Sequence, residues 1–246
     1  TTSIKTEGSR NHIFANLDLN FNKDNTYENN LSLKVQKTSN DTYFRIHDIN
    51  TTLVNSENTT LENEINYSFS KDDSYLNINT SIYEDLRKKY KSDKYEYVLP
   101  NIIYGKTFFS DKFGIVDFKS NAFYTNYETN KHKTFLYNDF IWSPFSKISK
   151  SGFVNTLQGM LRNTNYEAKK TTEFRDEGTV NEISGVLAYK ASLPMKKKGS
   201  IYDNLLSPNF MIRYAPGHMR NLSEKDVNLN HTNLYSLNKT SEIENG

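Results

Sequence analysis

The chain has 246 residues, no cysteine and a formal charge of +2. It is long enough to bury a core, yet it has neither the basic field of a nucleic-acid binder nor the thiols of a disulfide framework or thiolate metal site. Hydrophobic residues are only 35% while aromatics reach 13%, a balance thin in aliphatics for a two-sided core and rich in strand-forming side chains.

From His12 to Phe21, Ile13, Ala15, Leu17, Leu19 and Phe21 alternate with Asn16, Asp18 and Asn20. Asn22-Lys-Asp-Asn turns the chain into a return strand carrying Tyr27, Leu31, Leu33 and Val35, which predicts a hairpin. Thr42 to Ile49 reads as the start of a strand that runs into a polar passage through Glu57. Leu61, Ile65, Tyr67 and Phe69 then oppose Glu62, Glu64, Asn66 and Ser68; Lys71-Asp-Asp-Ser turns, and Leu76, Ile78, Thr80 and Ile82 answer. Arg87 to Tyr95 is a charged, exposed connection, and Tyr97 to Phe109 a longer strand interrupted by Pro100, which cannot donate to a ladder.

Val116, Phe118, Ala122 and Tyr124 face away from Asp117, Lys119 and Asn121. Lys131-His-Lys reads as a turn into a strand from Phe135 to Trp142 that stops at Ser143-Pro144. Phe153 to Leu161 is a further strand, and Glu167 to Thr179 a long polar loop. The cleanest alternation follows: Ile183, Gly185, Leu187, Tyr189, Ala191 and Leu193 against Glu182, Ser184, Lys190 and Ser192. After the polar connection from Met195 to Asn204, Leu206, Pro208, Phe210, Ile212 and Tyr214 share a face opposite Ser207, Asn209 and Arg213. A second polar loop, His218 to Val227, leads to a weakly alternating run from Leu229 to Leu237.

The pattern predicts an all-β fold, an antiparallel up-and-down meander of roughly ten strands with no amphipathic helix. One-faced strands also build soluble sandwiches and solenoids, so alternation leaves both open. No apolar run approaches the roughly 18 residues of a membrane helix, but a strand crosses a bilayer in about 9 to 11 residues. Strand lengths near that value, aromatics near strand ends such as Phe21, Tyr27, Phe69, Trp142 and Tyr214, and short turns alternating with longer loops favour a transmembrane barrel.

Chemistry-bearing motifs are sparse. The five histidines are dispersed, with no H-E-x-x-H or G-x-S-x-G pattern; His47-Asp48 and His218 near Arg220 read as solvated groups. The expectation is a protein that is not an enzyme and needs no cofactor or metal. In a barrel, Asp117, Lys119, Asn121, Lys190 and Arg213 would line a hydrated lumen, where the cations would either pair with neighbouring carboxylates or attract phosphates. The opening at Thr1, without Met or a leader, and the closing Asn245-Gly246 read as cuts, so residues 1–246 are expected to be part of a larger barrel domain, without signal peptide or C-terminal strand.

Four phrases carry a resemblance. Tyr43-Phe-Arg-Ile-His-Asp-Ile-Asn, Tyr97-Val-Leu-Pro-Asn-Ile-Ile-Tyr, Leu206-Ser-Pro-Asn-Phe-Met-Ile-Arg-Tyr-Ala-Pro-Gly-His-Met-Arg-Asn and Asn233-Leu-Tyr-Ser-Leu-Asn-Lys stand in this order. Their order and spacing resemble the LptD family of lipopolysaccharide-assembly proteins, with departures at Tyr235 and Lys239, where that family usually has Phe and Arg. The resemblance implies a large barrel in the outer membrane of a Gram-negative bacterium, preceded by a periplasmic β-jellyroll that this piece lacks. It implies as partners lipopolysaccharide, an LptE-like lipoprotein plug, periplasmic bridge proteins reached through the jellyroll, and outer-membrane lipid; nucleic acid is not among them. A general porin and a secreted β-rich adhesin or glycan-binding module are the alternatives.

Overall fold

The computed structural model describes residues 11–22, 27–55, 57–127, 131–170, 178–199, 202–216 and 237. The described strands are β1 (His12–Asn20), β2 (Glu28–Thr38), β3 (Thr60–Lys71), β4 (Ser74–Asp85), β5 (Tyr95–Ser110), β6 (Gly114–Tyr127), β7 (Lys131–Ser143), β8 (Lys147–Ile148), β9 (Val154–Lys169), β10 (Gly178–Ser192), β11 (Met195–Lys197), β12 (Asn204–Leu206) and β13 (Asn209–Tyr214). The main sheet runs β1-β2-β3-β4-β5-β6-β7-β9-β10-β13, with β8 beside β9, while β11 and β12 form a separate ribbon. Neighbours in the sheet are neighbours in the chain apart from these short inserts, the connectivity of an up-and-down meander. The chain divides into two compact units, Thr1–Tyr104 with Asn121–Thr134, and Gly105–Ser120 with Phe135–Gly246.

In the first unit, β3 and β4 are joined at Lys71↔Ser74 by Asp72 and Asp73 alone. Asp72 takes a left-handed φ of 44°, the backbone that a two-residue hairpin loop demands. The β2–β3 connection departs from expectation. Instead of a strand, Tyr43–His47 forms a single helical turn, α1, whose Tyr43 and Phe44 are buried. Asn40 starts it by accepting the Thr42 amide on its side-chain oxygen at 3.2 Å. Phe44, Val54 and Leu61 then form a small dry cluster, with Phe14, Ile49 and Leu86 packed against it. A second single turn, α2 (Lys91–Lys94), precedes β5. Elements of five and four residues are too short to impose a period of 3.6, which is why an alternation test finds no helix.

Further boundaries move for local reasons. β5 runs through Pro100 for 16 residues, so the proline removes one ladder donor without ending the strand. Lys131-His-Lys belongs to β7 rather than to a turn. In the second unit β9 continues eight residues past Leu161 to Lys169; there Arg162, Thr164, Tyr166 and Ala168 are buried on one side, and the polar Arg162 and Thr164 at the head of that side interrupt the alternation of hydropathy. Leu206 falls in β12 and Pro208 between strands; lacking an N–H, Pro208 uses its carbonyl instead, accepting from the Leu193 amide at 3.1 Å. The turn at 23–26, most of the Glu167–Thr179 loop, the His218–Val227 loop and, apart from Leu237, the closing run lie outside the described residues.

Candidate functional site

Register decides which side chains share a face. In the second unit β9 and β10 pair with Leu157↔Tyr189, Leu161↔Gly185 and Arg162↔Ser184, and β10 and β13 with Tyr189↔Ile212 and Ala191↔Phe210. Leu161, Ile183, Leu187, Tyr189, Phe210 and Ile212 therefore stand together. They are exposed, Ile183 at 74% and Ile212 at 57%. The opposite face carries Met160, Arg162, Thr164, Tyr166, Val186 and Ala188, all buried. A soluble sandwich puts its oily face inside and its wet face out; here the oily face is open and the mixed polar face is covered. An open apolar surface spanning several strands marks a face that meets another apolar surface, of protein or of membrane.

The first unit also sorts oily and polar side chains into cross-strand rows. Leu17, Leu33, Ile65 and Thr80 stand side by side across β1 to β4, and Leu19, Leu31, Tyr67 and Ile78 form the next row. Leu17 and Ile65 are half exposed, at 48% and 52%. On the other side, Asn16, Lys34, Glu64 and Ser81 form one row and Asp18, Ser32, Asn66 and Asn79 another. These side chains satisfy one another: Lys34 pairs with Glu62, Asn79 donates to Glu64, Asn77 donates to Asn66 at 2.9 Å and Ser81 to Asn79 at 2.8 Å.

Inside the second unit's covered face lies a buried ion pair. Arg162 donates from Nε to Asp139 Oδ1 and from Nη2 to Asp139 Oδ2, both at 2.6 Å, and its guanidinium lies 5.3 Å from the Tyr137 ring centre. The fork geometry answers both carboxylate oxygens, the arrangement that makes burial of two charges tolerable.

No curated protein matches the chain. The family model described as LptD, LPS transport system D, matches residues 9–245. The chain belongs to the LptD family. That family is an outer-membrane β-barrel family, a component of lipopolysaccharide transport rather than a known enzyme family, and the up-and-down antiparallel order seen here is the order such a barrel uses.

The polar residues singled out from the LptD chain's sequence are dispersed. Asp117 and Lys119 share a face of β6; Asp117 is half-buried and accepts the Thr107 hydroxyl at 2.6 Å, while Lys119 is exposed. Asn121 is half-buried and belongs to the first unit. Lys190 and Arg213 do come together: Lys190↔Met211 and Ala188↔Arg213 set them one diagonal apart on the covered face, where Arg213 donates from Nε to the Leu237 carbonyl at 2.8 Å. Of the two histidine candidates, His47 packs its ring 4.5 Å from that of Tyr43, and His218 lies outside the described residues. Among the described residues no cluster could hold a metal ion.

Arg162 and Asp139 were not singled out from the sequence, although a signal existed: Asp139 is the only charged residue in the expected strand Phe135 to Trp142. A lone acid in an otherwise apolar strand requires a cation on a neighbour. Equally hidden was the latch joining the two long connections of the first unit, where Lys94 of α2 reaches Asp41 at 2.6 Å and Glu84 at 2.8 Å. Burial alone would lower the Lys94 ammonium, but the hydrogen bonds it donates to Asp41 and Glu84 outweigh that and hold Lys94 above the ordinary lysine range.

Proposed function

We propose that this LptD-family chain is barrel wall in the outer membrane of a Gram-negative bacterium, part of the apparatus that inserts lipopolysaccharide into the outer leaflet. The observation that carries the reading is the second unit's sheet, whose oily face is open while its mixed face, with the Arg162–Asp139 pair, is covered, in a chain of this family. On this reading Leu161, Ile183, Leu187, Phe210 and Ile212 meet hydrocarbon. Asp117, Lys119, Asn121, Lys190 and Arg213 then belong to the hydrated lumen, with an LptE-like lipoprotein as plug and the periplasmic bridge reached through a jellyroll elsewhere in the protein. Residues 1–246 would form a partial barrel domain.

Photo-crosslinking tests the lumen assignment. With a photoreactive residue in place of Lys190 or Arg213, lipopolysaccharide or the plug lipoprotein is expected in the adduct; in place of Leu187, phospholipid is expected. Phospholipid adducts from all three positions, or none from Leu187, would refute it.

A further inference from the structure

Three connections of the second unit gather at one end of its strands. The β5–β6 turn is bound to the end of β7: Trp142 donates its indole N–H to the Phe113 carbonyl at 2.8 Å, and Gly114 lies directly against the backbone of Ser143 and Pro144. β8, within the β7–β9 connection, pairs with the start of β9. Gly152 in the same connection faces Leu193, where the β10–β13 connection begins, and Ser192↔Val154 closes the ladder there.

These three connections, 111–113, 144–153 and 193–208, carry six lysines, Lys112, Lys147, Lys150, Lys196, Lys197 and Lys198, against two acids, Asp111 and Asp203. All six lysines are exposed. One acid is already engaged, since Lys196 meets Asp203 at 2.6 Å across the β11–β12 ribbon. Interleaved with the lysines are exposed apolar and aromatic side chains: Phe113 at 60%, Phe145 at 58%, Ile148 at 74%, Tyr202 at 78% and Leu205 at 77%. Leu206, at 63%, leads into the exposed face of Phe210 and Ile212. The patch is therefore the continuation of the oily surface beyond the last rung of the ladder, and at that point the surface becomes cationic.

We infer that this end of the second unit is an anionic-lipid contact, in which Lys147, Lys150, Lys197 and Lys198 engage the headgroup phosphates of anionic phospholipids while Phe113, Phe145, Ile148, Tyr202 and Leu205 enter the interfacial layer. The inference rests on the barrel reading and adds to it a headgroup preference. Aromatic and basic side chains stabilise different layers of the same interface. Indole and phenol rings sit at headgroup level, and each lysine near an anionic surface gains by attraction that salt screens. The β11–β12 ribbon gives the device its form, since Lys196–Asp203 pins the two strands together while Lys197 and Lys198 beside it stay exposed.

Trp142, the single tryptophan in the sequence, stands within the patch and reports on it. The whole chain is reconstituted into phosphatidylcholine vesicles doped with chain-brominated phosphatidylglycerol or, in parallel, chain-brominated phosphatidylcholine, and quenching of Trp142 is read. Enrichment of the anionic lipid by about fivefold or more is expected, falling toward unity in the variant K197Q/K198Q and, with the unaltered chain, in about 1 M salt. Equal quenching by the two lipids overturns the inference while leaving the barrel reading standing, because the indole has met lipid. A preference that survives both K197Q/K198Q and K147Q/K150Q overturns the assignment to these lysines. Quenching by neither lipid overturns the barrel reading itself.

Discussion

At the residue scale the consequences follow from what each side chain would leave behind. Asp139→Ala strands the Arg162 guanidinium in a site where both partners are about 6% exposed, and the expected loss is ~3–5 kcal/mol. Replacing both, Asp139→Leu with Arg162→Met, is expected to recover most of that loss, since the pair's attraction barely exceeds its desolvation. Denaturant unfolding of the two variants in the same lipid or detergent makes the comparison. Gly114 has φ of +84°, and a Cβ there would lie 2.5 Å from Pro144 Cα and 2.6 Å from the Ser143 oxygen, both backbone atoms that cannot rotate away. Gly114→Ala is therefore expected to cost more than about 1 kcal/mol, read as a shift in the unfolding midpoint.

Lys94 supplies a pH dependence whose sign is determined by its upward shift. Its folded value lies above the unfolded one, so the latch to Asp41 and Glu84 contributes in full below about pH 10.4, the ordinary lysine value, and fades as pH rises through the folded value. The stability difference between the parent chain and Lys94→Gln is expected to stay level from pH 7 to pH 10 and to close above that, as followed by unfolding at a series of alkaline pH values.

At the element scale, the long connections are anchored where the ladder stops. Beyond Lys34↔Glu64, β2 and β3 separate: the Gln36 amide donates to Asn63 Oδ1 and the Glu62 amide to Gln36 Oε1, each at 2.9 Å. Side-chain amides thus stand in for lost rungs, and the Phe44–Val54–Leu61 cluster holds the opening. Phe44→Ala is expected to cost ~3–5 kcal/mol locally, seen as faster amide exchange in α1 and the β2–β3 connection with β9 and β10 unchanged. Strand identity was legible in elements such as β1 and β10, where every second residue is apolar. It was not legible in the second half of β9, whose covered face begins with Arg162 and Thr164 before Tyr166 and Ala168, or in α1, whose Tyr-Phe pair reads equally well as strand.

At the scale of the molecule, the test of the open face is a charge placed on it. Leu187→Arg or Ile212→Arg is expected to cost ~2–4 kcal/mol in a bilayer if the position lies near the midplane, and Lys190→Gln, on the other face, far less. If both faces met water, the arginine variants would be nearly neutral; titrating unfolding in vesicles separates these outcomes.

Local order in the chain was sufficient to establish the two-faced strands, their sequence-neighbour pairing and the family phrases, because a period of two and a turn-forming dipeptide are properties of adjacent residues. Which face is open, and which charges meet, depended on register between strands far apart in the chain. Arg162 and Asp139 are 23 positions apart, and although their strands are consecutive in the meander, no local pattern sets the register that brings these two side chains face to face. Alternation makes a strand two-sided; only the assembled sheet decides which side is left open.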